Sequence, residues 1–483
     1  MPKDGRSAKP LCVDLDGTLL RTDTLIEGLV SILSGEAGAG RLSGFAGTSH
    51  AAFKQRVAAA ARLSPETLPF NAELIEFLRS QKRAGRKLVL ATGADERTAR
   101  DIADYLGLFD EVVASDGLCN LDGKEKVEEL VRRYGDKGFD YAGSDRADLA
   151  VWGVADGIVM VNAPRNVARK ARALGRVVAE FDDRRLVAAA VRAMRPHQWM
   201  KNLLVFVPLL TSQSFTDWPG LLGAAGTFVS FCAMASAIYL INDLFDLTAD
   251  RRHPRKRHRP FASGTLPIPL GAGLALGLMA TGMALAAAVG AAFLLAIYAA
   301  VSLAYSLVLK KYPLIDVFTL AALYTLRIVA GGVASGHLVT LWLLAFSGFT
   351  FVSLALVKRT GELTLPEEAS DRRGGSRRGY RSEDSAILTN FGVASAFSSS
   401  VVLALFVNST SASQQYDSPE VLWSLVPVVL VWQLRLWLST VRGYMYDDPI
   451  VYASTDWVSW LVAAAVLVIV LLASFGVSVS SWH

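Results

Sequence analysis

From about residue 203 to the end of this 483-residue chain, apolar stretches of roughly 20 residues recur one after another. No other feature narrows the fold as much. Inside a bilayer every backbone N–H and C=O must be satisfied within the protein, so a run of this length becomes a membrane helix. Nine spans are expected, at about 203–213, 220–243, 266–288, 291–310, 314–333, 338–358, 386–408, 419–440 and 457–478. Residues 1–190 differ in kind, with ordinary charge and short apolar runs, and read as a soluble domain. No apolar stretch follows the opening MPKDGRSAKP, so no cleaved signal peptide is expected. Cys12, Cys119 and Cys232 are scattered singly, which argues against a disulfide framework or a cysteine metal cluster.

Basic clusters at 195–201, 251–259, 310–311, 358–359 with 372–378, and 435–442 test the span count. With nine crossings and a cytoplasmic start, all of them fall on one side, while 409–418 (STSASQQYDS) on the other carries no Lys or Arg. That is the positive-inside pattern, and it predicts a multi-pass protein of a bacterial inner membrane with its soluble domain in the cytoplasm. A basic helical connector, 166–194, would join the two parts and touch lipid headgroups rather than nucleic acid.

The stretch NDLFDLTADRRHPRKRHRPFASG (242–264) ends one apolar span. On a continuous helix Asp243, Asp246 and Asp250 share a face. Three carboxylates so placed repel one another unless a cation sits among them, and hard oxygen ligands suit Mg2+ with substrate phosphates completing its shell. Arg251, Arg252, Arg255, Lys256, Arg257 and Arg259 follow, able to hold phosphate oxygens that the metal leaves over. The competing reading is a solvated helix end whose bases touch anionic lipid.

NDLFDLTAD resembles the NDxxDxxxD signature of the UbiA superfamily of intramembrane prenyltransferases, and the likeness runs over most of 190–480. It implies an all-α membrane bundle with a lipid-accessible cavity and a Mg2+-bound diphosphate at its cytoplasmic end. MRPHQWMKNLLVFVPLL (194–210) and HPRKRHRPFASG are similar to segments of decaprenyl-phosphate phosphoribosyltransferases. That subfamily transfers from phosphoribosyl pyrophosphate to a polyprenyl phosphate. The resemblance makes Arg195, Gln198, Lys201, Asn202 and Asn242 donor-site candidates. The second DxxxD motif of prenyl-diphosphate users is incomplete here: Asp316 is present, but Leu320 stands four residues on. Tyr305, Lys310, Lys311 and Arg327 remain as phosphate contacts, and Lys358, Arg359, Glu362, Arg442, Asp447 and Asp448 belong to further family-like segments. No His or Cys in the spans is placed as base or nucleophile, and a lipid phosphate, already an anion, needs neither.

In the soluble part, LCVDLDGTLLRTD (11–23) is an apolar strand ending in Asp14 and Asp16, at the carboxyl edge where α/β folds bind ligands. It resembles the DxDGT motif of haloacid-dehalogenase-type (HAD) phosphatases. That likeness implies Asp14 as nucleophile, Asp16 as acid/base, Thr92 as phosphate contact and Lys126 as charge balance, with Lys124 the runner-up. FDYAGSDRADL (139–149) departs from the closing GDxxxD motif, because Ser144 takes the first acidic position. Asp145 and Asp148 remain as Mg2+ ligands beside Asp14 and Asp16, with Asp145 a substitute from one residue away. Residues 20–86 are expected to form a small helical cap.

The expected layout is an α/β HAD-like domain over 1–165, the connector over 166–194 and a UbiA-like membrane domain over 195–483. The expected function is Mg2+-dependent transfer of 5-phosphoribosyl to a polyprenyl phosphate, then removal of the ribose 5-phosphate to give polyprenylphosphoryl ribose for envelope glycans. Two alternatives stand beside it: a prenyl diphosphate user with an aromatic acceptor, and a phosphoribosyltransferase whose HAD domain is only a scaffold. Expected partners are the two substrates and membrane lipids, with no nucleic acid; association with further copies of the chain stays open.

Overall fold

The computed structural model describes residues 9–34, 50–116, 121–214, 216–363, 379–445 and 448–475. The chain divides into two compact units, one of residues 1–193 with 241–272, the other of 194–240 with 273–483.

The first unit is built on six parallel strands: β1 (Leu11–Val13), β2 (Leu88–Asp95), β3 (Glu111–Ser115), β4 (Asp140–Gly143), β5 (Gly157–Val161) and β6 (Arg176–Phe181). Their order across the sheet is β3-β2-β1-β4-β5-β6. Strand β1 shows why the sheet is doubly covered. Leu11 and Val13 enter one apolar cluster with Leu88, Leu90 and Val159, while Cys12 enters another with Val89, Tyr141 and Ile158. Alternate side chains thus leave opposite faces, and both faces are buried under helices. The order reverses between β1 and β4, and the crevice outside their carboxyl ends is where such sheets take ligands.

Two expectations change here. The segment 166–194 is not a helical connector throughout: between helices Arg165–Leu174 and Leu186–Met194 it contains β6, which pairs with β5. RVVAEF alternates in exposure residue by residue, as a half-covered edge strand does. The cap is also smaller than 20–86. Helix Ala72–Arg83 buries Leu74 and Leu78 in the sheet's own core, which leaves Thr24–Leu33 and His50–Ala61 as the insertion. These two helices meet closely, with Val57 Cγ1 only 2.6 Å from where a β-carbon on Gly28 would lie.

In the membrane part, seven helices among the described residues are long and apolar enough to cross a bilayer, not nine. They lie at Trp218–Phe245, Ile268–Ala288, Ile315–Ser335, Leu341–Leu363, Ser382–Val407, Pro419–Val441 and Trp457–Phe475. The expected span 203–213 instead belongs to a tight 3-10 segment, Pro196–Phe206, followed by the five-residue helix Val207–Thr211. Pro208 supplies a reason: it has no N–H to give and its ring clashes with the carbonyl four residues back, so a regular helix cannot run through it. The expected span 291–310 is a 16-residue helix, Ala292–Leu307, about 24 Å long against a hydrocarbon core of about 30 Å. The sidedness read from nine crossings falls with that count.

Within the second unit, Tyr324, Phe351, Leu354, Leu436 and Trp437 form one apolar core and Phe231, Ile238, Leu295 and Tyr298 another. Gly392 lets helix Ser385–Val407 approach closely, since a β-carbon there would lie 1.9 Å from the Trp437 ring. Trp437 Nε1 donates to Ser353 Oγ (3.0 Å), and Ser353 Oγ to the Gly392 carbonyl (2.8 Å), closing the contact. Outward positions such as Leu276, Phe293, Leu341 and Leu461 stay exposed, the surface a lipid-facing bundle presents.

Candidate functional site

Asp14 leaves the end of β1 into the crevice and is buried. Lys126 Nζ donates to its Oδ1 (2.8 Å) and Thr18 Oγ1 to its Oδ2 (3.3 Å). The same ammonium reaches Tyr141 Oη (3.2 Å), and Tyr141 donates to Asp148 Oδ1 (3.0 Å). Asp148 Oδ2 accepts the backbone N–H of Ser144 (2.7 Å) and of Asp145 (3.1 Å), so it shapes the loop after β4. Asp16 accepts the N–H of Thr24 (2.8 Å) and its hydroxyl (3.2 Å). Thr92, within β2, is buried, and its hydroxyl accepts from Ala94 N (3.0 Å). The structure thus joins Asp14, Lys126 and Asp148 in one network, with Asp16 beside it. Lys126, not Lys124, is the lysine it uses.

Asp145 does not take the place of the absent carboxylate. It is exposed, and its Oδ1 caps the N–H of Ala147 (2.8 Å). Gly17 has φ +74°, which a side chain rarely adopts, and a β-carbon there would lie 2.9 Å from Ser144 Oγ. Ser144 therefore sits against the loop that carries Asp14 and Asp16.

Charge in this crevice is unbalanced. Burial, opposed by Lys126, raises the Asp14 carboxyl. Burial, then the charges of Asp23 and Asp14, pushes Asp16 up to about 8. Burial, then Asp14, pushes Asp148 up to about 7. Burial alone would lower Lys126, yet Asp14 and Asp148 hold it above the usual lysine range. One ammonium faces Asp14 and, through Tyr141, Asp148, with Asp16 beside them; hard oxygen donors of this kind suit a divalent cation, though no three of them form a ready cage among the described residues.

The motif 242–250 ends differently from the continuous helix expected. Helix Trp218–Phe245 stops just before Asp246, which is exposed at the head of a six-residue helix, Leu247–Arg252. Asp243 and Asp250 are buried and converge on one nitrogen: Arg259 Nη1 lies 3.1 Å from Asp243 Oδ1 and 2.6 Å from Asp250 Oδ2. Lys256 Nζ stands 3.9 Å from Asp250 Oδ1, and Arg257 is exposed. Burial raises the Asp250 carboxyl against the pull of Arg259. Among the described residues no three His, Cys, Asp or Glu side chains form a ready metal cage. A pair of carboxylates already drawn to one cation nevertheless fits Mg2+, which takes one or two carboxylates and fills its shell with water and phosphate. Asn242 immediately precedes the first of them.

In the second unit, Lys201 Nζ lies 2.6 Å and Lys358 Nζ 3.3 Å from Asp448 Oδ2, and Tyr324 Oη donates to the same carboxylate (3.2 Å). Burial would raise Asp448, but the two lysines win and hold it well below the usual range. Arg327 is buried and donates to neutral acceptors among the described residues, Asn202 Oδ1 (2.8 Å), Tyr298 Oη (3.0 Å) and the Leu323 carbonyl. The Arg195 guanidinium lies over the Tyr239 ring, 4.9 Å from its centre. Two lysines thus share the Asp448 carboxylate, and the Arg327 guanidinium lies 5.5 Å from the centre of the Tyr324 ring whose hydroxyl donates to it. The same unit holds a cavity of about 640 Å3 with a mostly apolar lining, which includes Met200 and Ile328, the chain neighbours of Lys201 and Arg327, and Phe351, whose ring packs at a tilt on Tyr324.

Asp316 and Tyr305 are not part of this cluster. Arg359 is fully buried and donates to Asp316, to Glu362 Oε2 (2.6 Å) and to Tyr305 Oη (2.6 Å), while Tyr380 Oη donates to Asp316 Oδ1 (2.6 Å). This closed network consumes the two residues expected to meet substrate. Gln198 is half-buried in the 3-10 segment, and Lys310 is half-buried in the turn Leu309–Lys311. Cys119 and Asp447 lie outside the described residues. Sequence reasoning gave Asp448 no central role and overlooked Tyr141, Tyr298 and Tyr324. The one available signal was the Asp448-Pro449 step, since Asp448 caps the helix Pro449–Thr455 through Ile450 N (3.2 Å).

Comparison with known proteins fits this picture. The chain is 36% identical over 465 residues to a Sinorhizobium fredii protein, "Uncharacterized protein y4nM", covering 95% of this chain and 89% of that one. It is 40% identical over 270 residues to "Nodulation protein NoeC" of Azorhizobium caulinodans, covering 55% of this chain and 86% of that one. It is 37% identical over 188 residues to the "Decaprenyl-phosphate phosphoribosyltransferase" of Corynebacterium glutamicum, a match spanning 38% of this chain and 57% of that protein. The model of the UbiA prenyltransferase family matches residues 203–444, half of the sequence. With the aspartate motif, the helical bundle and this match together, the chain belongs to the UbiA prenyltransferase family.

Proposed function

We propose that the membrane part transfers a 5-phosphoribosyl group from phosphoribosyl pyrophosphate to a polyprenyl phosphate. The observation that carries this reading is the pairing of Lys201 and half-buried Lys358 with Asp448, with buried Arg327 close by on neutral acceptors, in the unit that holds an apolar cavity. Cations so placed are costly unless an anion joins them. A phosphate ester with a long hydrocarbon tail satisfies both the charge and the cavity. Kinship at 37% identity with a protein named for this activity supports the same choice.

In the reaction a lipid phosphate oxygen attacks the ribose C1. The C1–O bond to pyrophosphate breaks, and its electron pair leaves with pyrophosphate. Lys201, Lys358 and Arg327 hold the attacking phosphate. Asp243 and Asp250 would hold Mg2+, which when bound neutralises the diphosphate and its leaving charge. Lys256, Arg257 and Arg259 would bind the oxygens left over. No proton moves, so no general base is required.

The α/β part would then hydrolyse the ribose 5-phosphate. Asp14 attacks phosphorus, Asp16 protonates the departing ribose oxygen and later activates water, and Lys126 balances charge. Asp148, Asp14 and Asp16 would share Mg2+, with Ser144 supplying no charge. A diphosphate donor does not cross a bilayer unaided, so both sites face the cytoplasm of the inner membrane in this reading. The functional division we propose keeps 195–483 as the membrane part and extends the α/β part beyond 165 to take in β6.

Purified protein incubated with Mg2+, decaprenyl phosphate and radiolabelled phosphoribosyl pyrophosphate should form labelled lipid. Label transfer only from a prenyl diphosphate to an aromatic acid would overturn the proposal.

A further inference from the structure

Glu27 is a buried acid in the first turn of helix Thr24–Leu33, outside the Asp14 network. Both its oxygens are engaged. Arg251 Nη1 donates to Oε2 (2.8 Å) and Nη2 to Oε1 (2.5 Å), and Thr22 Oγ1 donates to Oε1 (2.7 Å). The remaining side of the guanidinium is fixed as well, since Arg251 Nε donates to the Ala262 carbonyl (3.1 Å). Side-chain exposures of 6% for Arg251 and 3% for Glu27 leave almost no water to compete for either charge.

Arg251 directly follows Asp250, and both lie on the helix Leu247–Arg252. Six residues cannot hold a helix in water by themselves, because nucleation costs more than so few hydrogen bonds return. What aims this helix is tertiary contact: Leu247 buried at one end and Arg251 clamped near the other. Rotation about the helix axis that freed Arg251 would swing Asp250 away from Asp243 and Arg259.

We propose that Glu27 is a positioning residue of the transfer site, acting through Arg251 to hold the Asp250 carboxylate in register with Asp243. This rests on the reading of Asp243 and Asp250 as the metal-binding pair. It makes a residue just beyond the DxDGT loop part of the transferase's outer support.

The test is carried out on the full-length protein in detergent. Removing a group that hydrogen-bonds a metal ligand weakens metal affinity about 10–100-fold, and Glu27 acts one contact further out, through Arg251. Glu27→Gln should therefore raise the Mg2+ concentration for half-maximal pyrophosphate release severalfold, up to about tenfold, with much of the rate recovered at saturating Mg2+. Glu27→Asp, which keeps the charge but shortens the reach, should fall between. Mn2+ binding counted by electron paramagnetic resonance gives a readout free of turnover. In an Asp14→Asn, Asp16→Asn background that removes the phosphatase-type site, Glu27→Gln should weaken the remaining Mn2+ site by the same factor. A lowered rate or Tm with unchanged Mg2+ and Mn2+ dependence would make the pair a structural tie only and overturn the proposal. Should the wild type turn over neither phosphoribosyl pyrophosphate nor a prenyl diphosphate, the functional reading fails, while the Mn2+ titration still decides the role of Glu27.

Discussion

Replacing Arg359 by Met separates structural from substrate-binding charge in the membrane bundle. Asp316 is fully buried and receives two donors, Arg359 and Tyr380 Oη. The substitution keeps the apolar stem and removes the cation, which leaves Asp316 with Tyr380 alone among these partners. Breaking a buried ion pair by deleting one member costs about 3–5 kcal/mol, because the other charge stays behind without compensation. Glu362 adds little to this cost, since its side chain is 29% exposed and can hydrate. At roughly 2 °C per kcal/mol for a unit of this size, Tm in detergent should fall by about 6–10 °C. The double variant Arg359→Met, Asp316→Asn should recover most of that loss, since the neutral amide still accepts from Tyr380. Thermal unfolding of the three proteins is the assay, with KM for the lipid phosphate measured alongside. A Tm within about 2 °C of wild type together with a tenfold higher KM would refute the reasoning and return Arg359 and Asp316 to the binding site.

Asp243→Asn should abolish transfer while leaving the protein folded and inserted; Mg2+-dependent label transfer undiminished in this variant would remove the metal pair. Lys201→Ala should raise KM for the lipid phosphate more than for the donor, given the cavity beside it, and steady-state kinetics with each substrate varied decides this. Asp14→Asn should let the 5-phosphorylated lipid accumulate while transfer continues, read as the ratio of phosphorylated to dephosphorylated product by mass spectrometry. An unchanged ratio in that experiment would make the α/β domain a scaffold. Gly392→Ala should cost about 1–3 kcal/mol through the clash with Trp437, seen as a lower Tm in detergent.

Local, periodic features were legible in the sequence. The strand before Asp14, the apolar runs that became most of the spans and the acid-then-base order of 242–259 are each set by neighbours in the chain. Resemblance to HAD motifs brought Asp14, Asp16, Thr92 and Lys126 to notice, and such motif residues follow successive strands whose carboxyl ends share one sheet edge. Spacing alone misled. It placed Asp243, Asp246 and Asp250 on one face, whereas the helix breaks at Asp246 and Arg259 gathers only the other two. Helix periodicity cannot reveal a 3-10 segment, so 203–213 read as a span although Pro208 stood in it. Partners far apart in sequence needed the tertiary structure: Lys201 with Asp448, Arg327 with Asn202, Arg359 with Asp316 and Glu27 with Arg251. A charge advertises its sign in the sequence, but which opposite charge neutralises it depends on packing between helices. That choice alone decides whether a buried arginine serves as a structural tie or awaits a phosphate.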